Sequence, residues 1–157
     1  MANSVIYADN FFTRPAKTGP EGAQFSYASK TLATTELVST QIVAMAVLPA
    51  KHRLMSAAIE SSDLDTNDAA TLTGSLGILN SNYGEALDAA PALESGQNIL
   101  TDSTVFQAGG RATPVLAFSN AIGVDNSNDR IIALHFTADS ATPKSGTVGL
   151  VIGTQPD

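Results

Sequence analysis

From Glu36 onward the apolar residues fall in short runs of period two, separated by polar or Pro/Gly-containing turns. Gln41–Leu48 is apolar on both alternating sets, Ile42, Ala44, Ala46 and Leu48 on one and Val43, Met45 and Val47 on the other. Such a strand is expected to be covered on both faces. Pro49 ends it, because proline has no N–H for the ladder. Arg53–Ile59 follows, with Met55, Ala57 and Ile59 on a shared face. The acidic stretch Ser62–Asp68 reads as a loop. Thr71–Leu79 sets Leu72, Gly74, Leu76 and Ile78 against Thr71, Thr73 and Ser75, as a half-buried antiparallel strand does.

The period changes over Asn82–Leu100. Asn82 with Glu85 predicts a capped short helix, interrupted at Pro91 and ended by Gly96. Strand character returns at Ser103–Gln107 and Val115–Phe118, with a turn or flexible loop at Gly109-Gly110-Arg111 between them. The polar turn Asp125–Asp129 leads into Arg130–Ala138, where Ile132, Leu134 and Phe136 oppose Ile131, Ala133 and His135. Thr147–Gly153 points Val148, Leu150 and Ile152 inward. Roughly eight short strands punctuated by turns predict an all-β fold, a jelly-roll-like antiparallel β-sandwich with one short helix.

Residues 1–35 lack a sustained period and carry Pro15, Gly19, Pro20 and Gly22. Yet Tyr7, Phe11, Phe12, Phe25 and Tyr27, five of the nine aromatics, lie there. Disordered tails are poor in such residues. The expected organisation is an extended N-terminal arm, 1–35, and a sandwich domain, 36–157. The five rings are the candidate interface residues. They either complete the domain's own core through edge strands at Val5–Tyr7 and Gln24–Ser29, or dock on a neighbouring subunit.

Composition narrows the function. The net charge is −7, from 8 basic and 15 acidic residues, which argues against nucleic acid and against an anionic membrane surface as partners. No apolar run approaches the ~20 residues of a membrane-spanning helix. Residues 1–10 lack a basic and apolar leader pattern, so synthesis in the cytoplasm is expected. The absence of cysteine excludes a thiolate metal site and a Cys nucleophile. The two histidines, His52 and His135, are far apart and not in an H-x-H spacing, which disfavours a cupin-type metal centre. Asp63-Leu-Asp-Thr-Asn-Asp68 begins like a calcium loop but has Asp68 and Gly74 where an EF-hand needs Gly and Glu. It reads instead as an Asx-turn loop, as does Asp125–Asp129. Neither a nucleophile elbow nor a phosphate loop is present, so the chain is expected to be no enzyme and to need no cofactor.

Val47-Leu-Pro-Ala-Lys51, Ile59-Glu-Ser-Ser-Asp-Leu-Asp65, Ala70-Thr-Leu-Thr-Gly-Ser-Leu-Gly77, Tyr83–Ser95 and Gly146-Thr-Val-Gly-Leu-Val-Ile152 form a strand-and-turn series over residues 36–153. This series resembles tailed-bacteriophage virion structural proteins, in particular small β-sandwich head decoration (cement) proteins. The resemblance implies a protein that binds and stabilises the assembled head. It implies the major capsid protein as partner, a homo-oligomer (trimer favoured, dimer open), a place on the capsid surface and no catalytic residues. The other reading is a receptor- or glycan-binding jelly-roll module of a head or tail fibre. For that reading Tyr83 beside Asn80 and Asn82 is the one suitable grouping.

Overall fold

A computed structural model of the chain describes residues 2–12, 24–114 and 127–156. Among these, nine strands form two sheets: β1 (Ser4–Tyr7), β2 (Gln24–Leu32), β3 (Gln41–Leu48), β4 (His52–Ser61), β5 (Thr73–Asn82), β6 (Leu100–Ser103), β7 (Gly110–Ala112), β8 (Arg130–Ala138) and β9 (Gly146–Pro156). One sheet has the order β1-β3-β8-β5-β6 and the other β2-β9-β4-β7. From β2 to β9 the chain passes between the sheets at every step except β5 to β6, which is the double Greek-key wrap of a jelly roll. The expected all-β sandwich is therefore the architecture. β1 is an addition, pairing parallel with β3 from Ser4↔Gln41 to Tyr7↔Ala44.

The predicted inward sets of β8 and β9 and the Leu76–Ile78 part of β5 hold, although β5 is buried on both faces rather than half-buried. Ile132, Leu134 and Phe136 of β8, Val148, Leu150 and Ile152 of β9, and Leu76 and Ile78 of β5 all enter the core between the sheets. The double-faced β3 is covered twice. Val43 and Met45 join that core, and Ile42 and Ala44 join a second cluster with Ile131, Ala133, Leu79 and Phe11 on the outer side. A bulge between Ala44 and Ala46 reverses the faces beyond it, so Leu48 and Ala46 go to the core and Val47 outward, against the expected grouping. The N-terminal segment thus supplies Phe11 as part of β3's outer cover.

Several expectations are corrected. Met55 does not share a face with Ala57 and Ile59: a bulge between Leu54 and Ser56 turns it out to solvent and sends Leu54 inward. No helix forms over 82–96. The Asn82–Glu85 turn does close, with Glu85 N–H donating to the Asn82 carbonyl at 3.3 Å. It stops at Gly84, whose φ of +86° is left-handed. Ala92–Glu94 instead lies extended beside β5, through Asn80 N–H to Ala92 O (2.9 Å) and Glu94 N–H to Ile78 O (2.7 Å). The short helix sits elsewhere, as α1 (Val105–Ala108), in place of the strand expected at Ser103–Gln107. Burial decides this, because one helical turn drops Phe106 into the core. The expected turn or flexible loop at Gly109-Gly110-Arg111 contributes β7, which pairs with β4. Val115–Phe118 lies outside the described residues.

Candidate interaction surfaces

The five N-terminal aromatics part into two groups. Tyr7, Phe11 and Phe12 gather with Tyr83 on the outer side of the five-stranded sheet. Ring centroids are 5.1 Å apart for Tyr7–Phe11, 4.9 Å for Tyr7–Phe12 and 5.7 Å for Phe11–Tyr83. Phe11 is buried, Tyr7 half-buried, and Phe12 is 67% exposed at the tip. Edge-strand pairing brings the group together: β1 delivers Tyr7, and Ala8 N–H to Ala44 O (2.8 Å) turns the chain so that Phe11 falls on β3.

Phe25 and Tyr27 lie on β2, which forms the edge of the other sheet and pairs with β9 from Gln24↔Thr154 to Leu32↔Gly146. They face outward, away from the core, at 73% and 62% exposure. Their rings lie over glycines of β9. A Cβ on Gly153 would sit 2.9 Å from Phe25 Cε1, and one on Gly149 would sit 2.6 Å from the Tyr27 hydroxyl. Glycine on the neighbouring strand gives each ring a flat seat. Both edge strands expected in residues 1–35 are thus formed.

The acidic loop is a structural clasp. Asp65 is buried, and its carboxylate accepts backbone N–H groups from both sides of one end of the sandwich. Oδ2 takes Thr71 (2.9 Å), Leu72 (3.1 Å) and Ala141 (3.0 Å); Oδ1 takes Thr142 (2.9 Å) and Asn67 (3.4 Å). Burial alone would raise its pKa, but the N–H groups of Thr142, Thr71, Ala141 and Leu72 together outweigh burial and hold the carboxyl far below the ordinary range. Nearby, Asp63 pairs with Lys144 at 3.7 Å, and the Asn67 side chain accepts from Ala69 N–H at 2.8 Å. Asp139 accepts Ser39 N–H at 2.6 Å, which lowers its pKa too, aided by the Ser39 hydroxyl and opposed by burial. The calcium-like spacing is thus a set of Asx turns.

Gly109 closes the same region at the end of α1. Its φ is +80°, and an added Cβ would lie 2.9 Å from Asp63 N and 3.0 Å from Ser61 O. Neither backbone atom can yield. Gly109→Ala is expected to lower stability by about 2–3 kcal/mol, read as a reduced urea midpoint at unchanged slope. An unchanged midpoint would mean that this contact is not formed in solution.

His52 and His135 are anchored to backbone, Nδ1 to Ala50 O at 3.0 Å and Nε2 to Ser39 O at 2.9 Å. Among the described residues no three His, Asp or Glu side chains converge as metal ligands. Of the polar turn Asp125–Asp129, only residues 127–129 are described, and Asp129 accepts Ala50 N–H at 2.8 Å. The amides once grouped with Tyr83 are also engaged. Asn80 donates to Ala90 O (3.0 Å) and accepts from Ala92 N–H (3.1 Å), and Asn82 donates to Glu85 (3.3 Å). They pin the 83–94 segment to β5.

No protein-family model matches the sequence, and no curated protein gives a significant match. Solved structures do. A chain of the capsid of Ralstonia phage GP4 superposes with a TM-score of 0.83 at 25% identity, over 98% of this chain and 99% of that one. A chain of the cyanophage Pam1 capsid asymmetric unit shares the fold, with a TM-score of 0.65 at 19% identity over 92% and 91% of the two chains. The likeness to the GP4 capsid chain supports a structural role in a phage virion, and it bears out the resemblance to phage virion structural proteins that the strand-and-turn series carries.

Proposed function

We propose that this protein is a capsid decoration, or cement, protein that binds the assembled phage head and stabilises it. The reading is carried by the end-to-end match to the GP4 capsid chain: the two chains cover each other almost completely, so the likeness to a capsid chain extends over the arm and the sandwich alike. Charge supports an outward place. At −7 the chain is repelled by packaged nucleic acid, which favours the capsid surface over the lumen. The partner is then the major capsid protein, the protein acts as a homo-oligomer (trimer favoured, dimer open), and it has no catalytic role. The N-terminal residues 1–35 are the interface-bearing segment. Of the five candidate interface residues Phe12, Phe25 and Tyr27 offer exposed surface, Tyr7 and Phe11 back Phe12 from within the chain's own cluster, and Phe12 leads the contact with the shell.

A cement protein acts by mass action. It binds the assembled shell and not the free subunit, so each occupied site at one hundred times Kd adds about 2.7 kcal/mol to the assembled state. Purified protein added to heads lacking it is expected to bind saturably and raise the temperature at which DNA is released. Phe12→Ser should weaken that binding about tenfold or more. Point variants are the right probe, since removing residues 1–30 would remove β1 and most of β2 from the two sheets. Absence of binding to heads, or equal binding to unassembled capsid subunits, would overturn the proposal.

A further inference from the structure

We infer that the outer face of the β2-β9-β4-β7 sheet is where two copies of this chain meet. Among the described residues this face displays Phe25, Tyr27 and, on the β4 bulge, Met55 at 49% exposure. Val151 of β9 and Ala58 of β4, paired in register, form the floor between them. The two rings are seated on Gly153 and Gly149 and so have little freedom left to lose on burial. A rim of Ser29, Thr31, Ser56 and Thr147 surrounds the apolar centre, with Thr31 and Thr147 joined at 3.2 Å.

Charge identifies the occupant. Two copies at −7 each repel one another over most of their surface. The cover of the other sheet carries Glu85, Asp88 and Glu94, and the clasp end carries Asp63 and Asp68. On the β2-β9-β4-β7 face the outward charges among the described residues are Arg53, Arg111 and Glu60. Glu60 is matched by Arg111 at 3.2 Å, and the Arg53 guanidinium lies against the Gln155 amide oxygen. This face therefore carries one positive charge in excess and no unmatched carboxylate. It is where like-charged copies approach at least electrostatic cost. Aromatic, Met and Arg side chains with few carboxylates are also the composition of interface centres.

The inference rests on the homo-oligomer proposed above, and its test reads self-association apart from shell binding. Light-scattering mass of the full chain is measured over a range of concentrations. An oligomer is expected, which Tyr27→Ser and Met55→Glu each weaken about tenfold or more, while Phe12→Ser leaves it unchanged. Met55 is solvent-facing on a bulge, so its glutamate variant keeps the fold and acts on the contact by burying a hydrated carboxylate in its apolar centre. A monomeric wild type, or an unchanged mass for Met55→Glu, overturns the inference. Head binding is read in parallel. Variants that lose head binding but keep their mass would place the face against the shell, overturning this inference and leaving the cement proposal standing. Heads that bind nothing while Met55→Glu dissociates would overturn the cement proposal and leave the copy–copy contact supported.

Discussion

Replacing Asp65 with alanine is expected to lower the free energy of unfolding by about 4 kcal/mol at pH 7, a large share of the roughly 5–15 kcal/mol typical of a folded domain. The side chain is buried and satisfies N–H groups of Asn67, Thr71, Leu72, Ala141 and Thr142, which belong to the β4–β5 and β8–β9 connections. Alanine strips five N–H groups of a charged acceptor, to which hydrogen bonds are worth about 1.5–3 kcal/mol each. Leu72 is fully buried and stays unpaired, while water can reach the other four residues and recovers part of the loss. Asp65→Asn keeps the shape but turns an NH2 group toward N–H donors, so about 2 kcal/mol or more is expected to be lost there too.

The same contacts set the response to acid. The folded-state pKa of Asp65 lies below its unfolded value, so the contribution is complete above about pH 4 and fades as pH falls from there toward the folded value. Urea denaturation at fixed protein concentration between pH 7 and pH 2.5 would read this. Asp139 is held low as well and adds its own acid dependence, so the difference between wild type and Asp65→Asn is the informative quantity. That difference should shrink on acidification. Parallel pH curves, or a loss under 1 kcal/mol for Asp65→Ala, would show that the clasp is open in solution.

What the sequence revealed tracks how each residue is buried. From Ile132 to Phe136 in β8 and from Val148 to Ile152 in β9 the alternation is unbroken, so period-two reading placed their inward residues correctly. In β4 the same reading failed, because the bulge at Met55 shifts the pairing by one residue and no residue type there announces it. The capping pattern at Asn82–Glu85 was real as a turn and wrong as a helix: Gly84 takes a left-handed conformation, and Asn80 spends its amide on Ala90 and Ala92. The sandwich was legible from strand count and turns; the wrap that orders its strands was not, since it is fixed by contacts between distant segments. The aromatics were legible as a group, but their division between two faces depends on β1 and β2 joining different sheets. Asp65 was legible as part of an Asx-turn loop, but not as its buried centre. The signal that separates it from a cation loop is its place between Leu64 and Leu72, both fully buried, which forces the loop inward.

Phe106→Ala is expected to cost about 4 kcal/mol, close to the largest effect of any single core truncation here. The ring is fully buried and meets Phe136 edge-to-face, with centroids 5.5 Å apart and planes at 88°. It also fills the space above Gly74, where a Cβ would come within 2.8 Å of Phe106 Cε2. The sheet has therefore given up a side chain on β5 to admit this ring, and truncation leaves a cavity that no neighbour is built to close. Phe106→Leu should cost less, about 1–2 kcal/mol, because most of the volume stays. A double-mutant cycle with Phe136→Leu is expected to return a coupling of about 1 kcal/mol for the edge-to-face pair. The consequence reaches the acidic clasp, because the Phe106 carbonyl accepts Leu64 N–H at 3.0 Å and α1 thereby holds the start of the Asp65 loop. Phe106→Ala should accordingly reduce the stability difference between wild type and Asp65→Asn, whereas full additivity of the two losses would mean that α1 and the clasp stand independently.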